Sequence, residues 1–286
     1  MANTIQEKIT KFIPVLDKLY VKECKTAVLD GQFNSSWDEQ CGGFKIASRD
    51  MDGLSAYVDK YPDGNIKLTW DIYKPNFNVG NRFTIPAIEN MEVAGLELMD
   101  LLSDFEQYKV YPTLDAFRLS TYAGKAQLTK TEDLSNATAK TVLTALRKAQ
   151  VAIEDNEADP NNCIVFIAPA LYNLVADADT ITSKAIMGEF GGFVKVPQKR
   201  LYTGGELVDL QGWQPNADST NLNFVIVDKT KALQAHVRKQ TKIFTPNENP
   251  NSDGYLMPYH LYSMADLRKS AEQSTYASIS TTKTIE

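Results

Sequence analysis

The sequence predicts an α+β protein in which a β-hairpin leads into a long helical rod and then into a block of short helices and apolar strands. Three observations carry this expectation. "NIKLTWDIY" alternates Ile66, Leu68, Trp70 and Ile72 against Lys67, Thr69, Asp71 and Tyr73, the period of a strand with one buried face. Met91, Ala94, Leu98, Leu101, Phe105 and Tyr108 recur at steps of three and four, the period of one helix face. Beyond Asn136, helical and extended apolar segments follow one another as in mixed α/β structure.

In chain order, residues 1 to about 30 read as a short helix with Ile5, Ile9, Phe12 and Leu16 on one stripe, then a polar arm ending near Gly31. A helix this short does not stand alone in water, so it must pack on something. "PDGN", Pro62 to Asn65, supplies turn chemistry ahead of the alternating strand, and "GFKIASRDMDGLSAYVDKY" is expected as its antiparallel partner. A two-stranded hairpin is marginal by itself and needs a surface to lie on. Pro86 suits the first turn of the long helix. From Pro86 to Lys109 the rod would measure roughly 36 Å at 1.5 Å per residue. Pro112 biases Tyr111 away from helical geometry, so two helices joined at an angle are expected, the second stopped by Gly124.

"KAQLTKTEDLSN" reads as a polar spacer. Val142, Leu146, Ala149 and Ile153 then make one helix face, "CIVFIA" a buried strand, "PALYNLVAD" a short helix, and "FVKVP" and "NFVIV" two further strands. "YTGGELVDLQGWQPNADSTN" reads as a long surface loop. The tail reads as two extended segments joined by the turn Pro246 to Gly254, with a final strand around Tyr276 to Ile279.

The 286 residues carry a net charge of −6, so no basic field recommends itself for grasping phosphates, and sequence-specific nucleic-acid binding is not expected. No apolar run approaches the roughly 20 residues that cross a bilayer. The first residues mix Glu7, Lys8, Lys11 and Asp17 with apolar ones, unlike a signal peptide, which points to a protein made and used in a cytoplasm. Cys24, Cys41 and Cys163, with His236 and His260, form neither a disulfide framework nor a zinc pattern.

Dinucleotide, P-loop, nucleophile-elbow and zincin motifs are all missing. "DNEADPNN" resembles a calcium loop only superficially, with Pro160 where the turn demands Gly and Phe166 where a bidentate Glu should stand. Glu97, Asp100, Asp104 and Gln107 form a polar row at helical spacing, the pattern of a solvated or interface face. Trp70 and its aromatic neighbours could stack on a sugar or base, but without a basic groove they suit packing against protein. No catalytic, cofactor or metal-binding residue is expected.

The order of parts resembles the tailed-bacteriophage major capsid proteins of the Hong Kong 97 type over nearly the whole chain. The most specific stretch is Arg82 to Ala123. The family's helix start "F-x-I-D-x-M-D-x-x-E" is matched by Phe83, Ile85, Pro86, Ile88, Glu89 and Glu92, with Pro86 in place of the usual Asp. Its exit "V-x-P-x-x-D-A-Y-R" is matched by Val110, Pro112, Asp115, Ala116, Phe117 and Arg118, with Phe in place of Tyr. "VKVPQKRLYT" and "VIVDKTKALQAHVRKQTKIFTP" resemble later family segments.

The resemblance implies an N-terminal arm over residues 1–35, an extended loop over 36–82 that crosses a neighbouring subunit, and a peripheral domain with its spine helix over 83–135. It further implies an axial domain over 136–228, and return strands with a C-terminal strand over 229–286. "GGELVDLQGWQPNAD" is the candidate for the capsomer axis. Phe12, Leu16, Trp70, Ile72, Phe77, Arg82 and Trp213 are the candidate subunit-interface residues. The implied function is a shell subunit that forms hexamers and pentamers with itself and encloses double-stranded DNA without reading its sequence. A separate scaffolding protein, a portal and decoration proteins would be its partners, and the virion its destination. Met1 stands about 30 residues ahead of the hairpin, so no long fused scaffold is expected. An encapsulin-like nanocompartment shell is the alternative with the same fold. A two-domain cytosolic hydrolase or ligand-binding protein, its hairpin docked on its own chain, is the alternative from another class.

Overall fold

The computed structural model describes residues 24–31, 37–57, 61, 63–85, 98–242, 244–249 and 253–283. The expected helix carrying Phe12 and Leu16, and the first part of the long helix from Pro86, lie outside the described residues. Strands β1 (Trp37–Asp38), β2 (Gly43–Met51) and β3 (Ile66–Tyr73) form an antiparallel sheet in that order. Phe44 stands opposite Tyr73 and Met51 opposite Ile66, which is the hairpin the alternation predicts. Its neck is closed by Asp52 N–H donating to Asn65 O at 3.1 Å and Asn65 N–H donating to Asp52 Oδ2 at 2.8 Å.

β4 (Phe77–Ile85) follows. The Asn and Gly residues of "FNVGN" read as turn signals in the sequence, yet Phe77, Val79 and Phe83 supply an inward period of two. Helix α1 (Leu98–Phe105), a π-helical turn (Glu106–Val110) and α2 (Tyr111–Lys125) come next. The expected break at Pro112 is corrected here. Val110 and Tyr111 both hold right-handed helical angles, and the Tyr111 N–H donates to Glu106 O five residues back. A proline in a regular helix lacks one donor and presses its ring on the carbonyl four residues earlier. The wider turn shifts that register by one and lets the helical path pass the proline. Gly124 does not end the helix either; it ends where Ala126 turns extended at ψ 124°.

The remaining elements are β5 (Leu128–Thr131), α3 (Ala139–Glu154), β6 (Cys163–Ile167), α4 (Pro169–Asp177), α5 (Ile181–Glu189), β7 (Gly192–Lys195), β8 (Glu206–Val208) and β9 (Gly212–Gln214). They continue with β10 (Thr220–Asp228), β11 (Ala232–Thr241), β12 (Tyr255–Leu267), α6 (Lys269–Glu272) and β13 (Tyr276–Lys283). One sheet has the order β5-β13-β10-β6-β7, so the last strand returns to pair with β10 and, parallel, with the far earlier β5. The predicted face of α3, Val142, Leu146, Ala149 and Ile153, is wholly buried, as are β6 and most of β10.

A second sheet has the order β11-β12-β4. Helix α2 is buried nearly all round, from Leu114 to Ala123, as expected of a helix with packing on more than one side. The spacer expectation is corrected by β5, whose backbone completes the edge of the five-stranded sheet despite its polar side chains. The surface-loop expectation for residues 202–221 is corrected by the β8–β9 hairpin, which lies on α2 with Trp213 against Phe117 at 5.1 Å.

Gly191 marks a close approach between β7 and the turn before β6. A Cβ there would lie 2.3 Å from the Asn161 carbonyl oxygen. Gly191→Ala is expected to destabilise the chain by about 1–3 kcal/mol through overpacking. An unchanged urea midpoint would show that the turn gives way freely.

Candidate assembly interface

The side chain that organises the centre is a carboxylate on α2. Asp115, with no exposure to solvent, accepts from Thr26 N–H at 2.9 Å, Thr26 Oγ1 at 2.8 Å, Lys25 N–H at 2.9 Å and Cys24 Sγ at 3.2 Å. Its second oxygen also takes Arg200 at 2.9 Å. One turn on, the equally buried Arg118 donates to Thr26 Oγ1 at 3.0 Å and to Asp30 Oδ1 at 3.1 Å. Gln234 on β11 closes the ring, donating to Thr26 O and Asp30 Oδ1 while accepting from Tyr122 OH. These bonds bind the segment Cys24–Asp30 to α2, so the chain emerging from residue 24 leaves from a fixed point.

The hairpin is built in the opposite way. Ile66, Leu68, Trp70 and Ile72 are 73%, 52%, 54% and 47% exposed, and Met51 is 64% exposed. Cross-strand neighbours put Met51, Arg49, Ala47 and Lys45 on this same face. The result is an apolar strip bordered by cations, with Lys45 Nζ 5.1 Å from the centre of the Trp70 ring. The strand period is as predicted, but no described residue covers the apolar side. Thr69, Asp71 and Tyr73, on the polar side, are half-buried. The root of the hairpin is rigidly held: Asn76 exchanges two hydrogen bonds with the Ala265 backbone, at 2.9 and 3.1 Å, and Lys269 pairs with Asp71.

Trp70 and Ile72 therefore share one exposed face, and Arg82 is exposed on β4. Of the other two candidates, Phe77 is buried within this chain and Trp213 is half-buried. Phe77 is 3% exposed and stacks at 4.4 Å on Phe117, which also meets Trp213 edge-to-face. Phe77 and Phe117 belong to the chain's own core, and Trp213 packs against it. Gly212 makes this packing possible, since at φ +87° a Cβ would meet Thr113 Oγ1 at 2.4 Å. Sequence reasoning passed over Arg49 and Met51, which the strand register alone brings opposite Leu68 and Ile66, and over the exposed Leu207 on β8 and Leu210 at the β8–β9 tip. The signal for the last two was present as leucines in a segment rich in turn residues.

Burial, reinforced by the Asp115 charge, pushes the Cys24 thiol up to about 11, and burial with Asp228 and Asp159 pushes Cys163 up to about 12. Burial and the Arg118 guanidinium lower His236 from its ordinary value. Among the described residues no three His, Cys, Asp or Glu side chains gather as a metal site, and no helix is long and apolar enough to cross a membrane.

No family model matches the sequence, and no curated protein matches it. Solved structures do. The mature capsid of bacteriophage PhiM1 aligns over 94% of this chain and 91% of its own, with a TM-score of 0.66 at 10% identity. The capsid of cyanophage P-SCSP1u aligns over 95% and 94%, with a TM-score of 0.60 at 11% identity. The head of Helicobacter pylori bacteriophage KHP40 aligns over 94% and 93%, with a TM-score of 0.58 at 9% identity.

The chain has the Hong Kong 97-type phage capsid fold. In this capsid fold the two sheets and α2 pack on their own chain, while the hairpin presents its apolar face outward. The rival hydrolase reading required that face to be docked on the same chain.

Two outcomes follow. Arg118→Met leaves the Asp30 carboxylate without its ion-pair partner and Thr26 Oγ1 without a donor, and should lower stability by about 1–3 kcal/mol in chemical denaturation. A loss below about 1 kcal/mol would show that the network is dispensable. Cys24 and Cys163 should resist maleimide at neutral pH in the folded protein, because raised pKa values leave almost no thiolate, and should react once urea unfolds it. Rapid labelling of either in the folded state would contradict that environment.

Proposed function

We propose that this protein is the repeating subunit of a tailed-bacteriophage head, assembling through hexamers and pentamers into the shell around a double-stranded DNA genome. The observation that carries this reading is the alignment of more than nine-tenths of the chain with nearly the full length of several phage capsid and head structures. The uncovered hairpin face supports it, since an apolar strip of this kind on an otherwise well-packed chain is the mark of an interaction surface. Enclosing DNA requires no sequence-reading residues, which accords with a net charge of −6.

On this reading, residues 1–35 serve as the arm, 36–82 as the extended loop, 83–135 as the peripheral domain with its spine helix, 136–228 as the axial domain and 229–286 as the return. The subunit is structural rather than enzymatic. A separate scaffolding protein, a portal and decoration proteins are its partners, assembly takes place in the host cytoplasm, and the virion is its destination.

Sedimentation and electron microscopy of the protein, expressed alone and with its neighbouring genes, test the assignment. Closed shells containing DNA, or competent to package it, support a phage head; shells loaded with enzyme point to a nanocompartment. A monomer that persists with every candidate scaffold present overturns the shell. Replacing Trp70 and Ile72 by Asp should keep the core folded and soluble while the assembled fraction drops more than about tenfold. Each buried apolar side chain is worth about 1.5–3 kcal/mol and about 1.4 kcal/mol is a factor of ten. Particles of ordinary yield and stability from that variant would remove the hairpin from the interface.

A further inference from the structure

A titratable side chain stands at the edge of the polar anchor around Thr26 and joins it through one contact. His236 on β11 places its Nε2 3.4 Å from Arg118 Nη2, the same nitrogen that donates to Asp30 Oδ1 at 3.1 Å. An arginine has only donors, so the contact is favourable when Nε2 carries no proton and accepts. Arg118 is fully buried and already short of acceptors, since its Nε has no partner among the described residues. A bulge follows His236 on its strand. His236 stands opposite Ser263 and Arg238 opposite Tyr262, which leaves Val237 without a counterpart on β12. An extra residue of this kind re-aims the side chains beside it.

The charged groups facing His236 come from every side. Arg118 comes from α2, Asp30 from the anchored segment, Glu106 from the π-helical turn and Lys239 from β11 itself. They are already matched, Asp30 with Arg118 at 3.1 Å and Glu106 with Lys239 at 2.7 Å. On β12 the residue opposite is the uncharged Ser263. Cys24, Tyr111 and Tyr259, which line the same opening of about 510 Å³, add no carboxylate. A proton on His236 therefore brings a third cation to two carboxylates. His236 keeps part of its surface in solvent, so the proton can reach it.

We propose that His236 is an acid-sensitive latch on the segment Cys24–Asp30: once protonated it ceases to accept from Arg118, repels it, and the segment loosens from α2. The imidazolium has two donors and no acceptor, so Arg118 Nη2 loses one of its two partners, and a buried N–H left unpaired is costly. The imidazolium also competes for Asp30, which Gln234 needs as an acceptor. Partial burial and then the Arg118 charge hold His236 below its ordinary value, so the unfolded chain takes up the proton more readily than the folded one. The stability this contributes is complete above the ordinary histidine value of about 6.5 and is lost as the pH falls through it. The latch belongs to the single chain and stands apart from the shell reading.

Hydrogen exchange of the full chain, read by mass spectrometry at about pH 7.5 and about pH 5.5, tests it. The N–H groups of Lys25 and Thr26 donate to Asp115 and report the anchor directly. After correction for intrinsic rates, their protection should fall about threefold or more at the lower pH, while the wholly buried strand β6 keeps its own. His236→Gln supplies an amide oxygen that accepts at either pH, and should hold the protection high at both. His236→Lys is charged at both, and should lower it at both. Equal protection of the unaltered chain at the two pH values overturns the latch. So does full protection in His236→Lys, or a fall in His236→Gln as large as in the unaltered chain, which would assign the effect to other groups.

Discussion

A buried carboxylate sets the terms for the rest of the structure. Asp115 has no solvent to neutralise it, and an ionised carboxylate in an apolar interior is unstable unless its surroundings replace the lost water. Here the replacement comes from remote parts of the chain: the backbone and hydroxyl around Thr26, the guanidinium of Arg200, and the network that Arg118 and Gln234 complete. Helix α2 therefore reaches its final environment only when the segment before Asp30, the turn holding Arg200 and strand β11 are also in place. Removing one partner strands the others, so the network makes correct assembly of the fold close to all-or-none. Its geometry, more than its net energy, is its contribution.

The helix that carries this carboxylate must also pass a proline. A kinked joint at Tyr111 would rotate Asp115 and Arg118 relative to α1 and to the β4–β12 strands against which Phe105 packs. The π turn avoids that by absorbing the proline's missing donor within a continuous helical path. One face of the rod can then serve the Phe83, Phe105 and Tyr259 ring cluster while the next serves the polar anchor. The local irregularity and the long-range network are two parts of one solution.

The elements legible in the sequence were those whose period is set by burial within the chain, α3 with Val142 and Leu146, strand β6 and the paired β11 and β12, together with β3, which alternates although its apolar face is exposed. β4 was hidden because Asn78, Gly80 and Asn81 are turn formers, and only the pairing with β12 overrides their local preference. The continuity at Pro112 was hidden because proline's local bias is outweighed by packing on both sides of it. For the interface, alternation announced an apolar face at Trp70 and Ile72 but could not say whether the cover was the same chain. Phe77 and Trp213 looked equally available, yet their partner, Phe117, lies within reach only in three dimensions. Asp115 and Arg118 were visible as a motif, while their work, holding a segment nearly ninety residues earlier, was not.

The contrast between the two kinds of contact has a consequence for a closed lattice. In the proposed shell one sequence must occupy both fivefold and sixfold rings, where neighbouring copies meet at slightly different angles. A hydrogen-bonded ring such as that around Asp115 tolerates little displacement, because donors and acceptors lose their bond steeply with angle and distance. Burial of apolar area is non-directional, so a strip of Met51, Ile66, Leu68 and Trp70 can slide or tilt on its neighbour and keep most of its stabilisation. Directional chemistry placed inside the subunit and non-directional chemistry placed on the hairpin is the distribution that lets a rigid building block form joints that are not all alike.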